Sequence, residues 1–75
     1  MASPQFNEFC GRVCRRVRFR PDRAAIRAEL TAHLEDHMDA LVARGFPPET
    51  AARQAVAAMG DPEEIGKELD KSHSP

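Results

Sequence analysis

The sequence has no tryptophan, no tyrosine and few other large apolar side chains. Hydrophobic residues make up 41% of its 75 residues, but twelve of them are alanines, the best helix formers. No stretch alternates β-branched and polar residues as a half-buried strand does, and no span approaches the roughly 18 apolar residues needed to cross a bilayer. These absences exclude a β-rich fold and a membrane-spanning segment. They favour one small all-helical domain, near the lower size limit for a single core.

We expect no secretory leader, because the opening MASPQFNEF has neither a basic region nor an apolar region after it. We therefore expect a soluble, cytoplasmic chain. Its two cysteines, Cys10 and Cys14, lie four residues apart and share one face of a helix. Two thiols one turn apart on one helix would stabilise little as a disulfide. We interpret them as reduced core side chains.

The residues from 21 to 44 predict the longest helix, of roughly 35 Å at 1.5 Å per residue. Pro21 suits the first helical position, and Gly45 suits the left-handed residue that ends a helix. Phe46 then occupies the position from which a Schellman motif makes its hydrophobic contact, here with Leu41. The apolar face recurs at steps of three and four residues and comprises Ile26, Leu30, Leu34 and Leu41, with His37 and Met38 between the last two.

Three further helices are predicted, over residues 4–18, 48–59 and 61–70, with 71–75 as a tail or linker. Ser3 is expected to cap the first helix, and Gly60 to end the third. Asp61 is expected to cap the fourth, in which Glu64 can close a capping box. The fold class is thus all-α, a small up-down bundle of three main helices plus a short C-terminal fourth helix. The apolar stripes of helices one, three and four are, in order, Phe6, Phe9, Cys10, Val13 and Val17; Ala52, Ala55, Val56 and Met59; Ile65 and Leu69.

The charge is divided unevenly, although the net charge is only −1. Residues 1–27 hold seven arginines against two acidic residues, a net charge of +5, and residues 28–75 carry a net charge of −6. One interpretation is a basic surface that faces a partner or a membrane; the other is that the two halves attract each other within the fold. The candidate interaction patch consists of Arg12, Arg15, Arg16, Arg18 and Arg20.

The most specific chemical hypothesis from the spacing of histidines and acidic residues is a metal site on the second helix. Glu29, His33 and His37 are one turn apart on one helix face, but structural zinc ligands seldom have this spacing. In an antiparallel hairpin, His37 would lie roughly 16 Å along the axis from Cys14, so the thiols do not complete a site. We expect His33 to be half-buried with a hydrogen bond to a neighbouring element, and His37 to be partly exposed. No metal, no cofactor and no catalytic activity are predicted, since no pocket with a nucleophile and a base is evident.

A family resemblance emerges over about three-fifths of the chain, from Ile26 to Leu69. Glu29 and His33 open a long helix, a glycine-containing corner and an alanine-rich helix follow, and Gly60-Asp61-Pro62 leads into a last amphipathic helix. The order ELTAHLEDHMDALVARGFPPETAARQAVAAMGDPEEIGKEL resembles a bacterial permease-prefix domain, also called a HAAS-type domain. The first helix, with its phenylalanines and cysteines, departs from the pattern of that family.

The resemblance implies a non-catalytic cytoplasmic module that docks or senses at the N-terminus of a multi-pass, permease-like membrane protein, tethered to the inner membrane. Such proteins resemble permease subunits or are associated with PadR-type regulators. The expected partner is another protein or the rest of the same membrane protein, with an anionic lipid surface as a further possibility. On this hypothesis the reading frame continues beyond Pro75 into apolar stretches.

The alternative function is a stand-alone nucleic-acid-binding regulator of the helix-turn-helix type. The third helix would then read bases, but only Arg53 and Gln54 suit that task, and Glu49 at its start would repel phosphate. The arginines lie on the first helix and its exit. Nucleic acid is therefore not the partner we expect.

Overall fold

The computed structural model describes residues 4–73, and these form four α-helices and one short 3₁₀ turn without any strand. The elements are α1 (Pro4–Arg16), the 3₁₀ turn (Arg20–Asp22), α2 (Arg23–Ala43), α3 (Pro48–Met59) and α4 (Pro62–Ser72). The described part of the chain measures 43 × 20 × 17 Å along its principal axes. The predicted fold class, a small all-α bundle, is confirmed.

The core lies between the predicted apolar stripes of α1, α2 and α3. On α3 the buried residues include Ala51, which the sequence analysis did not assign to the stripe, whereas Val56 and Met59 are only half-buried. Met38, Ile65 and Leu69 pack against the core from its edge. The buried cluster comprises Phe6, Phe9, Cys10, Val13, Cys14, Val17, Ile26, Leu30, Leu34, Ala52 and Ala55.

The corner between α2 and α3 is a Schellman motif, as the sequence predicted. The amide of Gly45 donates to the carbonyl of Val42 at 2.9 Å, and the amide of Phe46 donates to the carbonyl of Leu41 at 3.1 Å. Gly45 has a φ of 103°, in the left-handed region that side chains disfavour. The chain therefore turns sharply after α2, and α3 packs back against it.

The junction of α1 and α2 differs from the prediction by a few residues. Helix α1 ends at Arg16 rather than at residue 18, and α2 begins at Arg23 rather than at Pro21. The reason is the separate 3₁₀ turn, in which Pro21 occupies an early position and the amide of Asp22 donates to the carbonyl of Phe19 at 3.2 Å. Proline disfavours helical geometry in the residue before it, which prevents α1 and α2 from merging.

Asp61 caps α4 as predicted, accepting a hydrogen bond from the amide of Glu63 at 2.9 Å. Glu64 does not close a capping box: its carboxylate lies 3.8 Å from Lys67 instead. The prediction of a tail from residue 71 is also wrong, because α4 continues to Ser72. Ser3 and residues 74–75, for which a cap and a tail were predicted, lie outside the described residues.

The two residues by which α4 extends past its predicted end bring that end to the start of α2. The ring of His73 is within hydrogen-bonding distance of the carboxylate of Asp22. These residues are 51 positions apart in the sequence. The contact holds the end of α4 against the rest of the bundle.

Helices α1 and α4 pack most closely at Gly66, a buried glycine in the middle of α4. A methyl group built at this position would lie 2.6 Å from Cβ of Arg16 and 2.7 Å from the carbonyl oxygen of Val13. The two helices run in the same direction, because Arg18, two residues past the end of α1, lies beside Asp70, further along α4. The two helices can therefore lie this close together only because residue 66 is a glycine and has no side chain.

We predict that Gly66→Ala destabilises the protein, by up to about 2 kcal/mol. Overpacking of a close contact costs about 1–3 kcal/mol, and here the obstructing atoms are a carbonyl oxygen and a Cβ, which cannot rotate away. The better helix propensity of alanine raises the free energy of unfolding by only about 1 kcal/mol. Urea unfolding of the variant and of the wild type measures the difference.

Gly11→Ala is the matched control, because Gly11 is also inside a helix. Its added Cβ would meet only the terminal Nη2 of Arg27, at an ordinary 3.5 Å. This variant should be as stable as the wild type, or more stable by about 0.5–1 kcal/mol. If both variants gain stability equally, α1 and α4 are not in close contact at Gly66.

Candidate interaction surfaces

Part of the predicted basic patch forms a continuous exposed surface on α1. Arg12, Arg15 and Arg16 are spaced by three and four residues, so they share one side of the helix, away from the buried stripe. Arg20 follows in the 3₁₀ turn and is also exposed. We call these four residues the arginine face. Within residues 4–73, no carboxylate lies within 4.0 Å of their guanidinium groups.

A shallow groove of about 350 Å³ runs beside the arginine face. It is lined by Arg12, Arg15, Arg16 and Glu63, the last from the first turn of α4. Glu63 is beyond ion-pairing distance of all three arginines. The charge of the arginine face therefore remains available to a partner.

Arg18, which was predicted to belong to the same patch, is used by the fold instead. Its backbone amide donates to Oδ1 of Asp70 at 2.8 Å, and its guanidinium lies 3.0 Å from Oδ2. The backbone hydrogen bond, followed by the side-chain hydrogen bond, lowers the pKa of the Asp70 carboxyl below its ordinary value. At this position the basic and acidic halves do attract each other within the fold.

Two further arginines of the basic half also serve the structure. Arg23 donates from Nε to the carbonyl of Val17 at 2.7 Å, which ties the start of α2 to the end of α1. Arg27 donates to Oδ1 of Asn7 at 2.7 Å. Both side chains are half-buried, unlike those of the arginine face. The basic half thus divides into structural arginines and arginines that face solvent.

A second surface, which the sequence analysis missed, is a cleft of about 850 Å³ between the start of α1, the second half of α2 and the start of α3. Its apolar lining includes Phe6, Met38, Pro48 and Ala52. Its polar lining includes the exposed carboxylates Glu35, Asp36, Asp39 and Glu49. No cationic side chain of residues 4–73 lies within 4.0 Å of these carboxylates. We call this surface the acidic cleft.

The spacing of the acidic residues contained a signal for this cleft. Glu35 and Asp39 are four residues apart and so share a face of α2. The position of Glu49 beside them depends on the fold of α3 against α2, which local spacing does not reveal.

The three candidate metal ligands do not form a site. His33 was predicted to be half-buried, but 64% of its side chain is exposed, and its Nε2 lies 3.9 Å from Glu29. The prediction is wrong because the stripe of Ile26, Leu30 and Leu34 occupies the inner face of α2, and His33 is next to that stripe rather than in it. His37 is exposed too. Among the described residues, no three His, Cys, Asp or Glu side chains are arranged to hold a metal.

Both cysteines are buried free thiols, as predicted. The sulfur of Cys10 lies 3.6 Å from Oγ1 of Thr31, and that of Cys14 lies 3.7 Å from the carbonyl oxygen of Arg23. Burial raises the pKa of the Cys14 thiol, an effect that the nearby Arg27 opposes only in part. The thiols therefore connect α1 to α2 in the core, and the raised pKa disfavours the thiolate form of Cys14.

Comparisons with known proteins give no identification: no family model, no curated protein and no solved structure matches this chain. Among the described helices, none has the length and apolar character required to cross a membrane. The resemblance to a permease-prefix domain therefore remains a prediction from the sequence.

The Asp70 contact predicts a pH-dependent stability. Because the pKa of Asp70 is lower in the folded chain than its ordinary value of 3.8, the contact stabilises the fold above that pH and is lost as pH falls through the folded pKa. Asp70→Asn should lower the urea midpoint near neutral pH, and its difference from the wild type should shrink in acid.

Arg18→Gln is the companion variant for this measurement. It removes the guanidinium but keeps the backbone amide, which is the larger cause of the lowered pKa. It should therefore retain more of the acid-dependent stability than Asp70→Asn does. A difference between the wild type and Asp70→Asn that is the same at every pH would contradict this role of Asp70.

Proposed function

We propose that the protein is a non-catalytic protein-interaction module, and that the arginine face is its docking surface. The observation that supports this function is the exposure of Arg12, Arg15, Arg16 and Arg20 without a carboxylate partner in the described residues. In the same half of the chain, Arg18, Arg23 and Arg27 are bonded within the fold. Arginine is well suited to such a surface, because its planar guanidinium binds carboxylates and phosphates in two places at once.

The cellular context that we propose follows from the resemblance to permease-prefix domains. In that context the module lies in the cytoplasm, at the N-terminus of a permease-like protein of the inner membrane. Cytoplasmic segments near a membrane carry an excess of Lys and Arg, and the arginine face agrees with that bias. The partner is then another protein or the rest of the same membrane protein.

A binding role fits the chemistry of the described residues better than catalysis does. Acid–base or nucleophilic catalysis requires a nucleophile beside a base in a pocket. The thiols of Cys10 and Cys14 are in the core, away from solvent. The exposed pair of Glu29 and His33 has no nucleophile described with it.

The alternative of nucleic-acid binding through α3 has weaker support. The first turn of α3 contributes Glu49 to the acidic cleft, next to Glu35, Asp36 and Asp39 of α2. A phosphate backbone approaching α3 would meet these carboxylates, whose negative charge repels it. The arginines that could attract phosphate lie on α1 and in the 3₁₀ turn.

A photo-crosslinking amino acid at position 15, in cells that contain the full-length protein, tests the proposed docking surface. We expect covalent adducts with a protein in the membrane fraction, because the side chain at position 15 points outward from the arginine face. Position 58 is the matched control, since Ala58 is an exposed helical residue on α3 outside both surfaces. Adducts with nucleic acid, or equal adducts from both positions, would contradict the proposal.

A further inference from the structure

We propose that the chain associates with a second copy of itself, the arginine face of one copy docking in the acidic cleft of the other. This inference rests on the proposed docking role of the arginine face, for which it names a partner. It does not depend on attachment to a membrane. The argument uses the charge, shape and relative position of the two surfaces.

The two surfaces are complementary in charge. The cleft carries the four carboxylates Glu35, Asp36, Asp39 and Glu49, and the arginine face carries four guanidinium groups. Among residues 4–73, neither set has an ion pair of its own within 4.0 Å. Opposite potentials of this kind favour encounter and fix the orientation of two partners.

The lining of the cleft suits an arginine side chain in particular. Phe6 and Ala52 are buried beneath it, and the half-buried Met38 and the exposed Pro48 add apolar surface. An arginine inserted there would lay its aliphatic stem along Met38 and Pro48 while its guanidinium reached the carboxylates. The volume of about 850 Å³ is large enough for more than one side chain.

The two surfaces cannot satisfy each other within one chain. Both include residues of α1: the cleft begins at Pro4 and Phe6, whereas Arg15 and Arg16 lie about ten residues further along. At 1.5 Å per residue, that part of the helix keeps them roughly 15 Å apart. Because α1 is continuous from Pro4 to Arg16, Arg15 and Arg16 cannot fold back into the cleft. Arg12 is closer to the cleft, but no carboxylate of residues 4–73 lies within 4.0 Å of it. The complementary contact therefore requires a second molecule.

The contact should be weak and sensitive to salt, because its ion pairs lie at the surface, where counterions screen them. Sedimentation equilibrium of the intact chain at millimolar concentration in low salt is the direct measurement. We expect an average mass above that of the monomer, returning to the monomer value in high salt. A monomer under both conditions would overturn the proposal.

Two charge-reversed variants identify the surfaces. Arg12→Glu with Arg15→Glu reverses the arginine face, and Glu35→Lys with Asp39→Lys reverses the cleft; all four side chains are exposed, so the helices should be retained in circular dichroism. Each variant alone should associate at least about tenfold more weakly than the wild type. An equimolar mixture should associate again, since the reversed face of one variant matches the reversed cleft of the other.

The association measured for the two variants, alone and mixed, either supports or overturns the proposal. Restored association establishes the pairing of these two surfaces, whereas association that persists in either variant alone, or fails to return in the mixture, overturns it. The crosslinking experiment at position 15 tests the proposed docking function independently of self-association. If the chain does not self-associate but position 15 still crosslinks to a different membrane protein, the docking role stands and only the identity of the partner is wrong.

Discussion

At Gly66, helix α4 approaches α1 so closely that one added methyl group would lie 2.6 Å from Cβ of Arg16. This approach matters because the chain has few large side chains, and close contact between helices compensates for their scarcity. It brings Ile65 and Leu69 to the edge of the core and places Asp70 beside the end of α1. The same contact seats the stem of Arg16 on α4 and leaves its guanidinium exposed. The close packing at Gly66 thus also fixes the position of Arg16 within the arginine face.

The distribution of arginine connects this packing to function. Three arginines of the basic half make hydrogen bonds or ion pairs within the fold: Arg18 with Asp70, Arg23 with Val17 and Arg27 with Asn7. These contacts join α1 and the residues after it to α4 and α2. The arginine face makes no such bonds to the described residues, so its charge is not required to hold the bundle together. The interpretation that the two halves attract each other within the fold therefore holds at Arg18, whereas a basic surface that faces a partner stays a prediction, now confined to the arginine face. A surface that the fold does not use is the natural place for a partner.

The sequence predicted those parts of the structure that depend on local spacing. The apolar stripes, the Schellman corner at Gly45 and the Asp61 cap follow from helical periodicity and from residues with known preferences at helix ends. The contacts that the sequence analysis missed join distant positions: Arg18 with Asp70, 52 residues apart, and Asp22 with His73, 51 residues apart. The first contact removes Arg18 from the predicted basic patch, and the second lies beyond the predicted end of α4. Gly66 did offer a local signal, since a lone glycine inside a helix usually has a packing reason.

The candidate surfaces were predicted less completely, for a related reason. The arginine face could be read from residues 12, 15 and 16 because one helix presents them all. The acidic cleft combines α1, α2 and α3, so it becomes evident only once α3 is folded against α2. The exposure of His33 also depends on which residues of α2 face the core. The one-turn spacing of Glu29, His33 and His37 does not determine that.

The close approach of α1 and α4 is the central claim, and nuclear Overhauser effects in solution test it most directly. The Hα protons of Gly66 should show strong effects to the Hβ protons of Arg16, because the two residues are in van der Waals contact across the helix interface. A medium-strength effect should connect Ile65 or Leu69 with the side chains of α1. If the Gly66 protons show effects only to residues of α4 itself, the two helices are not packed as described, and the account of the bundle and of the position of Arg16 is wrong.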